Sequence, residues 1–487
     1  MQIVWFKRDL RVFDHAPLTY GSINGPIIPL YIFEPELWKN PDLSFRQYEF
    51  LIECIKDLDD QLEKLGQSLV IKVGDAVEVF NKMKIKYSIS EIYSHQETWN
   101  SWTYNRDKKV KKWANDNKIS FREYSQNGVI RSLKDRAGWS FKWYTKMKQN
   151  LVKHPKKLFK IDESCNSIPL HKEIGLNRDN CVLRQSGGRK EGLKLLNSFL
   201  NHRGEYYSKG ISSPLSAFET CSRLSSHIAF GTLSIREVFQ KTEEKISELT
   251  HSNLINKNKW ISSFRSFSGR LRWHCHFIQK LEDEPRIEFE NLHSFYDGLR
   301  EDDFNYDYFN AWQNGQTGFP MIDACMRALN KTGYLNFRMR AMLVSFASYN
   351  LWLHWREPAL YLARQFTDYE PGIHYNQIQM QSGTTGINTI RIYNPIKQGL
   401  DHDSKGIFIK KWVPELFDIP NEYIHTPWDS PIKIKNYPKP IIDEKKTRKL
   451  SADKIYSLRK VHGHRIISKK IFERHGSRKK NLSEKQF

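Results

Sequence analysis

Residues 311–329 read AWQNGQTGFPMIDACMRAL, and this run decides how the C-terminal half is read. A polar, glycine-bearing turn gives way at Gly318 to apolar positions at three- and four-residue steps as far as Leu329. That is the periodicity of a helix with one buried face. Five further stretches follow in order: Asn330-Lys331-Thr332-Gly333-Tyr334, Arg338-Met339-Arg340, His354-Trp355-Arg356, Gln365-Phe366-Thr367-Asp368-Tyr369-Glu370 and Arg391-Ile392-Tyr393-Asn394-Pro395. Helical periodicity also marks Leu224–Phe230, Ile235–Phe239, Trp260–Leu281 and Arg338–Phe366, while strand-like alternation nearly vanishes after residue 200. The C-terminal half is predicted to be all helical.

Upstream the pattern changes. Short apolar runs at Ile3–Phe6, Ile27–Phe33, Leu69–Val73 and Glu91–Tyr93 alternate with helical stretches at Arg46–Leu65 and Ala76–Met83, and Gly66 stands where a helix-ending residue is expected. Strand–helix–strand order predicts an α/β domain: a parallel sheet with helices on both faces. No GxGxxG follows the first strand, which excludes the usual dinucleotide fingerprint. The reading divides the chain into an α/β domain (1–130), a polar connector (131–200) with one helix near Trp143–Leu151 and a loop over Cys181–Gly192, a helical domain (201–440) and a basic helical tail (441–487).

At 487 residues, with 39% apolar and 27% charged positions, the chain can bury a core without disulfides or structural metal, and composition excludes disorder. No apolar run reaches the ~18 residues of a membrane span, and the N-terminus lacks a signal-like apolar region, so a cytoplasmic protein is expected. The six cysteines form no CxxC pair, which argues against a metal or iron–sulfur site. Lys and Arg number 77 against 55 Asp and Glu, a net +22 that favours a polyanionic partner, nucleic acid first. The tail alone carries 15 Lys or Arg against 5 Asp or Glu and reads equally as a solvated basic helix or as a phosphate-contacting arm, with Ser477–Lys480 frayed.

Taken together, the ordered motifs, with the opening Trp5-Phe6-Lys7-Arg8-Asp9-Leu10-Arg11, resemble the photolyase/cryptochrome family of flavoproteins over nearly the whole chain. The resemblance implies FAD in the helical domain, an antenna chromophore of folate or deazaflavin type in the α/β domain, DNA carrying UV lesions as partner, and a monomer. It implies that Ser222, Leu224 and Ser225 wrap the FAD phosphates, that Tyr207 (or Tyr206) and His274 lie near the cofactor, and that Arg340 pairs with Asp368 beside the isoalloxazine, with Glu370 at the ring's pyrimidine edge. Trp273 matches the indole that stacks on a flipped lesion, and Trp312 and Trp355 match two members of an electron-relaying tryptophan chain.

The departures cluster at the active site. Arg270 stands where dimer-repairing relatives carry Glu, and a guanidinium donates where a carboxylate accepts. Ile378 and Met380 replace tryptophans, which breaks the relay at its first step unless Trp352, Tyr349 or Tyr334 substitutes. Phe337 and Ala341 cannot donate a proton. His374 falls opposite the flavin N5 and reads three ways: proton donor, flavin tuner or satisfied core histidine. The expected activity is blue-light-driven repair of pyrimidine dimers by electron transfer from reduced FAD, cyclobutane dimers favoured. The alternatives are a photoreceptor without repair, or (6-4) photoproduct repair with His374 as acid.

Overall fold

The computed structural model describes residues 1–163 and 165–476. The fraying expected at Ser477–Lys480 lies outside them.

Five strands, β1 (Gln2–Phe6), β2 (Ile27–Phe33), β3 (Val70–Val73), β4 (Glu91–His95) and β5 (Ser120–Tyr124), form one sheet in the order β3-β2-β1-β4-β5, every pair parallel. The period of two along β1 decides what each face buries. Val4 and Phe6 join Tyr31 and Phe33 against the helix Phe45–Glu63, while Ile3 and Trp5 join Leu30 and Ile32 against the helices Ala76–Lys86 and Ser101–Asp116. Helices thus cover both faces, as the alternation of elements predicts. The sequence reading did not include β5, whose residues are all exposed or half-buried, so its apolar signal is weak.

The helical region begins earlier than the connector reading allows. Arg189–Ser198 is a helix, where Cys181–Gly192 reads as loop from sequence. Asp57, on the helix Phe45–Glu63, accepts from the N–H of Arg189 at 2.8 Å, and Gly188 at φ +94° makes the entry turn. A partner more than 130 positions away caps this helix. The connector's own helix is Trp139–Met147, and its buried Trp139, Trp143 and Met147 pack with Leu196, Phe199 and Phe239 in the helical core.

The predicted helix over Arg338–Phe366 is broken. Phe337–Ser345 runs through a π-turn at Phe346–Asn350, and a second helix starts at Arg356. Trp352, at φ +55°, turns the chain between them. Its ring lies 4.6 Å from the Arg300 guanidinium and 4.4 Å from the Lys454 ammonium, contacts that override local periodicity.

The tail forms helices Glu444–Arg459 and His464–His475, docked rather than free. Ser451 donates to the Tyr349 carbonyl, and His475 meets Glu284 at 3.2 Å.

The two halves meet at the loop after β1. Leu10 N–H donates to the Phe230 carbonyl (3.2 Å), Arg8 Nε to Ala229 (3.0 Å) and Arg11 Nη1 to Gly231 (2.9 Å), while Asp14 takes Arg236 and Ser234. Gly231 has φ +68°, and a Cβ there would stand 2.3 Å from the Arg8 carbonyl oxygen. Gly231→Ala is therefore expected to cost about 2–4 kcal/mol from left-handed strain plus overpacking, read as a lower midpoint in denaturant unfolding.

Candidate functional site

The helical region encloses a cavity of about 290 Å³, close to the ~300 Å³ lower end of small-molecule sites. Tyr207, Ile211 and Leu362 complete walls that come chiefly from four stretches: the loop and short helix around Cys221–Ala229, the long helix Lys257–Asp283, the segment Tyr334–Val344, and Phe366–Gln381. Gly372 lets the last of these approach the long helix, since a Cβ there would lie 2.6 Å from Ile278 Cα.

Of the residues singled out from sequence, Tyr207, Ser222, Leu224, Ser225, Arg270, His274, Arg340, Asp368, Glu370 and His374 all line this cavity, as do Phe337, Ala341 and Ile378. Between the two tyrosines the structure distinguishes plainly: Tyr207 is buried on the wall and Tyr206 is half exposed. Trp273 is not a lining residue. It stands 42% exposed on the long helix, its ring 5.2 Å from His276 and 5.6 Å from Phe277. Trp312 and Trp355 are fully buried away from the wall, and Met380 does not line it. Of the three substitute rings considered, only Tyr334 lies on the wall; Tyr349 and Trp352 sit against Arg300.

Arg340 and Asp368 form a two-pronged ion pair at 3.0 and 2.8 Å, with Arg340 Nε donating to the Leu335 carbonyl and its guanidinium 3.9 Å from the Phe366 ring centre. Each of its three nitrogens has an acceptor, so it is held as a rigid charged edge. Glu370 is different. Burial pushes it up to about 8, only partly offset by Arg8, so it is mostly a neutral carboxylic acid at pH 7 and can donate. His374 Nε2 lies 2.9 Å from the Ala359 carbonyl, which can only accept, so that nitrogen carries the proton. Burial holds the ring down to about 4. His374 is thus neutral and leaves Nδ1 as acceptor, which disfavours its reading as a proton donor.

The sequence reading missed Arg223, Asn336, Tyr369 and Gln377 on the same wall. Arg223 adopts φ +62°, with its guanidinium 3.7 Å from the Phe218 ring and 4.5 Å from that of Tyr334. Arg203 donates to the Cys221 and Ser222 carbonyls, and Gln185 to that of Arg223, which pins this turn. Residue type alone gives no signal for such a backbone.

Four buried polar atoms of wall residues have no partner in the protein: Arg223 Nε, Asn336 Oδ1, Glu370 Oε1 and Gln377 Oε1. Unpaired buried groups are costly. Donors and acceptors spread along an otherwise apolar wall fit FAD, which offers a diphosphate, a polyol and an amide-like ring edge.

The crevice at the C-terminal ends of β1 and β2 behaves otherwise. It leaves about 30 Å³, the volume of one water, because Arg106 fills it, paired with Glu34 at 2.7 Å, Asp107 at 2.8 Å and Glu97. An antenna ring does not fit there unless this network opens. Asp9, His15 and His95, the one His/Asp cluster of metal-ligand size among the described residues, are spent on each other: Asp9 Oδ2 accepts from both imidazoles at 2.8 and 2.7 Å.

Comparison with known proteins gives two family matches. Residues 2–163 match the model described as DNA photolyase, and residues 267–457 match the FAD binding domain of DNA photolyase. A deoxyribodipyrimidine photo-lyase of Buchnera aphidicola is 27% identical over 480 residues, covering 92% of this chain and 95% of that protein. A cryptochrome DASH of Gloeobacter violaceus is 25% identical over 482 residues, covering 91% and 93%. The solved archaeal photolyase of Sulfolobus tokodaii, described as holding two FAD molecules, superposes with a TM-score of 0.79 at 27% identity, covering 94% of this chain and all of that one.

Two measurements check the electrostatics. Asp368→Asn is expected to destabilise the protein by about 2 kcal/mol in denaturant unfolding and to lower the bound flavin, because Arg340 loses its charged partner. His374, held below its unfolded value of about 6.5, contributes stability that is full above that pH and is lost as pH falls toward 4. Thermal midpoints should therefore drop more steeply between those pH values in the wild type than in His374→Gln.

Proposed function

The chain belongs to the photolyase/cryptochrome family, and from that premise we propose that it is a DNA photolyase, using blue light and FAD to split UV-induced pyrimidine dimers, above all cyclobutane dimers. The observation that carries this reading is the exposed indole of Trp273 on the same helix as the wall residues Arg270 and His274. Phe337, 45% exposed on the wall, lies 5.9 Å from the Arg270 guanidinium. A flat ring and a guanidinium on the cavity wall, with an exposed indole on the same helix, suit an unstacked base, and photolyases must take the lesion out of the duplex. The net charge of +22 supplies the attraction to phosphate.

FAD, when bound fully reduced, supplies the light-excited electron that opens the dimer and takes it back afterwards. The protein's part is to hold and orient. Arg340 and Asp368 offer a fixed charged edge to the isoalloxazine. Glu370 in its acid form donates to a ring carbonyl, and His374 presents a lone pair. The pinned turn at Ser222–Ser225, with Arg223, meets the diphosphate. Arg270 donates to lesion carbonyl oxygens. The protein is proposed to act as a monomer in the cytoplasm, a compartment that suits its six free cysteines.

The second reading is a blue-light photoreceptor without repair activity. Arg270 favours it, since it removes the acceptor that the resemblance assigns to dimer-repairing relatives. Repair of (6-4) products has less support, because the one His374 proton is held by Ala359.

The deciding experiment is turnover by the reduced, FAD-loaded protein on oligonucleotides carrying one cyclobutane dimer or one (6-4) product, single- or double-stranded, in blue light and in the dark. Light-dependent turnover on cyclobutane dimers is expected. No turnover on any substrate would leave the photoreceptor. Trp273→Ala should weaken binding to dimer-containing DNA by about tenfold, one lost stacking contact, with little effect on undamaged DNA. Both affinities should fall steeply with salt.

A further inference from the structure

Ile378 puts an aliphatic side chain on the cavity wall where the family resemblance expects an indole. Trp312 does not repair the gap: its ring partners are Phe309 and Tyr361, and neither lines the cavity. Trp355 is connected. Tyr369 lines the cavity and is buried, and its ring centre lies 6.4 Å from that of Tyr375. Tyr375 in turn lies 6.4 Å from Trp355, and both are fully buried. The Tyr369 hydroxyl donates to Asp42 Oδ2 at 2.5 Å. The Tyr375 hydroxyl lies 3.5 Å from that same oxygen and 3.3 Å from the Tyr369 hydroxyl. One buried carboxylate oxygen therefore serves two phenols placed in line between the cavity and an indole.

We propose that Tyr369 and Tyr375, with Asp42 as proton acceptor, form the inner part of an electron relay that joins the flavin site to Trp355. The proposal rests on the cavity being the FAD site. A phenol is hard to oxidise unless its proton leaves with the electron, and this is what the shared carboxylate provides. Burial raises Asp42 from the usual carboxylate range, which makes it a stronger base.

The step balances as follows. Light-excited oxidised flavin is the oxidant. Tyr369 gives it one electron, its O–H bond breaks, and the proton forms a new O–H bond on Asp42. An electron then returns to Tyr369 from Trp355 by way of Tyr375, and Asp42 gives the proton back. The net change is one electron from Trp355 to the flavin. The Trp355 Nε1–H donates to Asn291 Oδ1 at 2.7 Å, a neutral amide and a poor base, so Trp355 stays a radical cation. Because its ring is fully buried, an external thiol returns the electron through the protein, by way of the partly exposed His354 ring 5.5 Å away.

The test uses the full-length protein loaded with oxidised FAD, in blue light with excess thiol. The readouts are the rate at which the oxidised-flavin absorption is lost and the electron paramagnetic resonance spectrum of the protein radical. Tyr375→Phe keeps the ring and does not touch the cavity. It is expected to leave FAD content unchanged and to slow photoreduction by about tenfold or more. Trp355→Phe should abolish the indole radical and leave a tyrosyl signal. Asp42→Asn should slow the reaction and remove the slowing that heavy water imposes on the wild type. Unchanged rates and radicals in Tyr375→Phe and Trp355→Phe, with FAD bound, would overturn the relay alone. A wild-type protein that binds no FAD would overturn the site reading and the relay with it.

Discussion

The contact between the loop after β1 and the turn at Gly231 is the constraint from which the rest of the site follows. Gly231 at φ +68° brings its backbone against the Arg8 carbonyl, and the Arg8, Leu10 and Arg11 donors meet the carbonyls of 229–231. That segment continues directly from Ser222–Ser225, the wall assigned to the cofactor phosphates. The sheet therefore sets the position of a helical cavity that contains none of its strands. Arg8 carries this coupling further, because its charge also acts on Glu370, which shares a small crevice with Arg8, Ala229 and Gly231.

Inside the cavity, burial decides what each group can do. Arg340 and Asp368 each satisfy the other through two hydrogen bonds. Glu370 has no such partner, and desolvation leaves it an acid. His374 spends its one proton on a backbone carbonyl. The wall thus offers one fixed ion pair, one neutral donor and one neutral acceptor. A flavin edge, which carries both donors and acceptors, matches that set better than a simple anion would. The α/β crevice has the opposite design: three carboxylates converge on Arg106, and the charges occupy the space that a ligand would need.

How much of this could be read in advance depended on the range of the interactions. The parallel sheet and the amphipathic helices were legible because periods of two and of about 3.6 residues are local properties. The breaks were not. Trp352 ends a helix through Arg300 and Lys454, and Asp57 starts one at Arg189, each from a distant part of the chain. At the cavity, ten of the thirteen residues singled out as site residues reach the wall, because the ordered motifs carry them. Arg223 and Tyr369 went unread: the first matters through a left-handed backbone, the second through its alignment with Tyr375 and Asp42.

The sequence by itself determined the fold class, the family and the types of side chain available to the cavity, since composition, periodicity and motif order are carried along the chain. It also showed that an indole was missing at Ile378. Only the tertiary structure decided the protonation of Glu370 and His374, the orientation of Arg340 and the line of rings from Tyr369 to Trp355. Those depend on desolvation, on distances of a few ångströms and on partners such as Asp42 and Ala359, brought together only when the two halves of the chain close on each other.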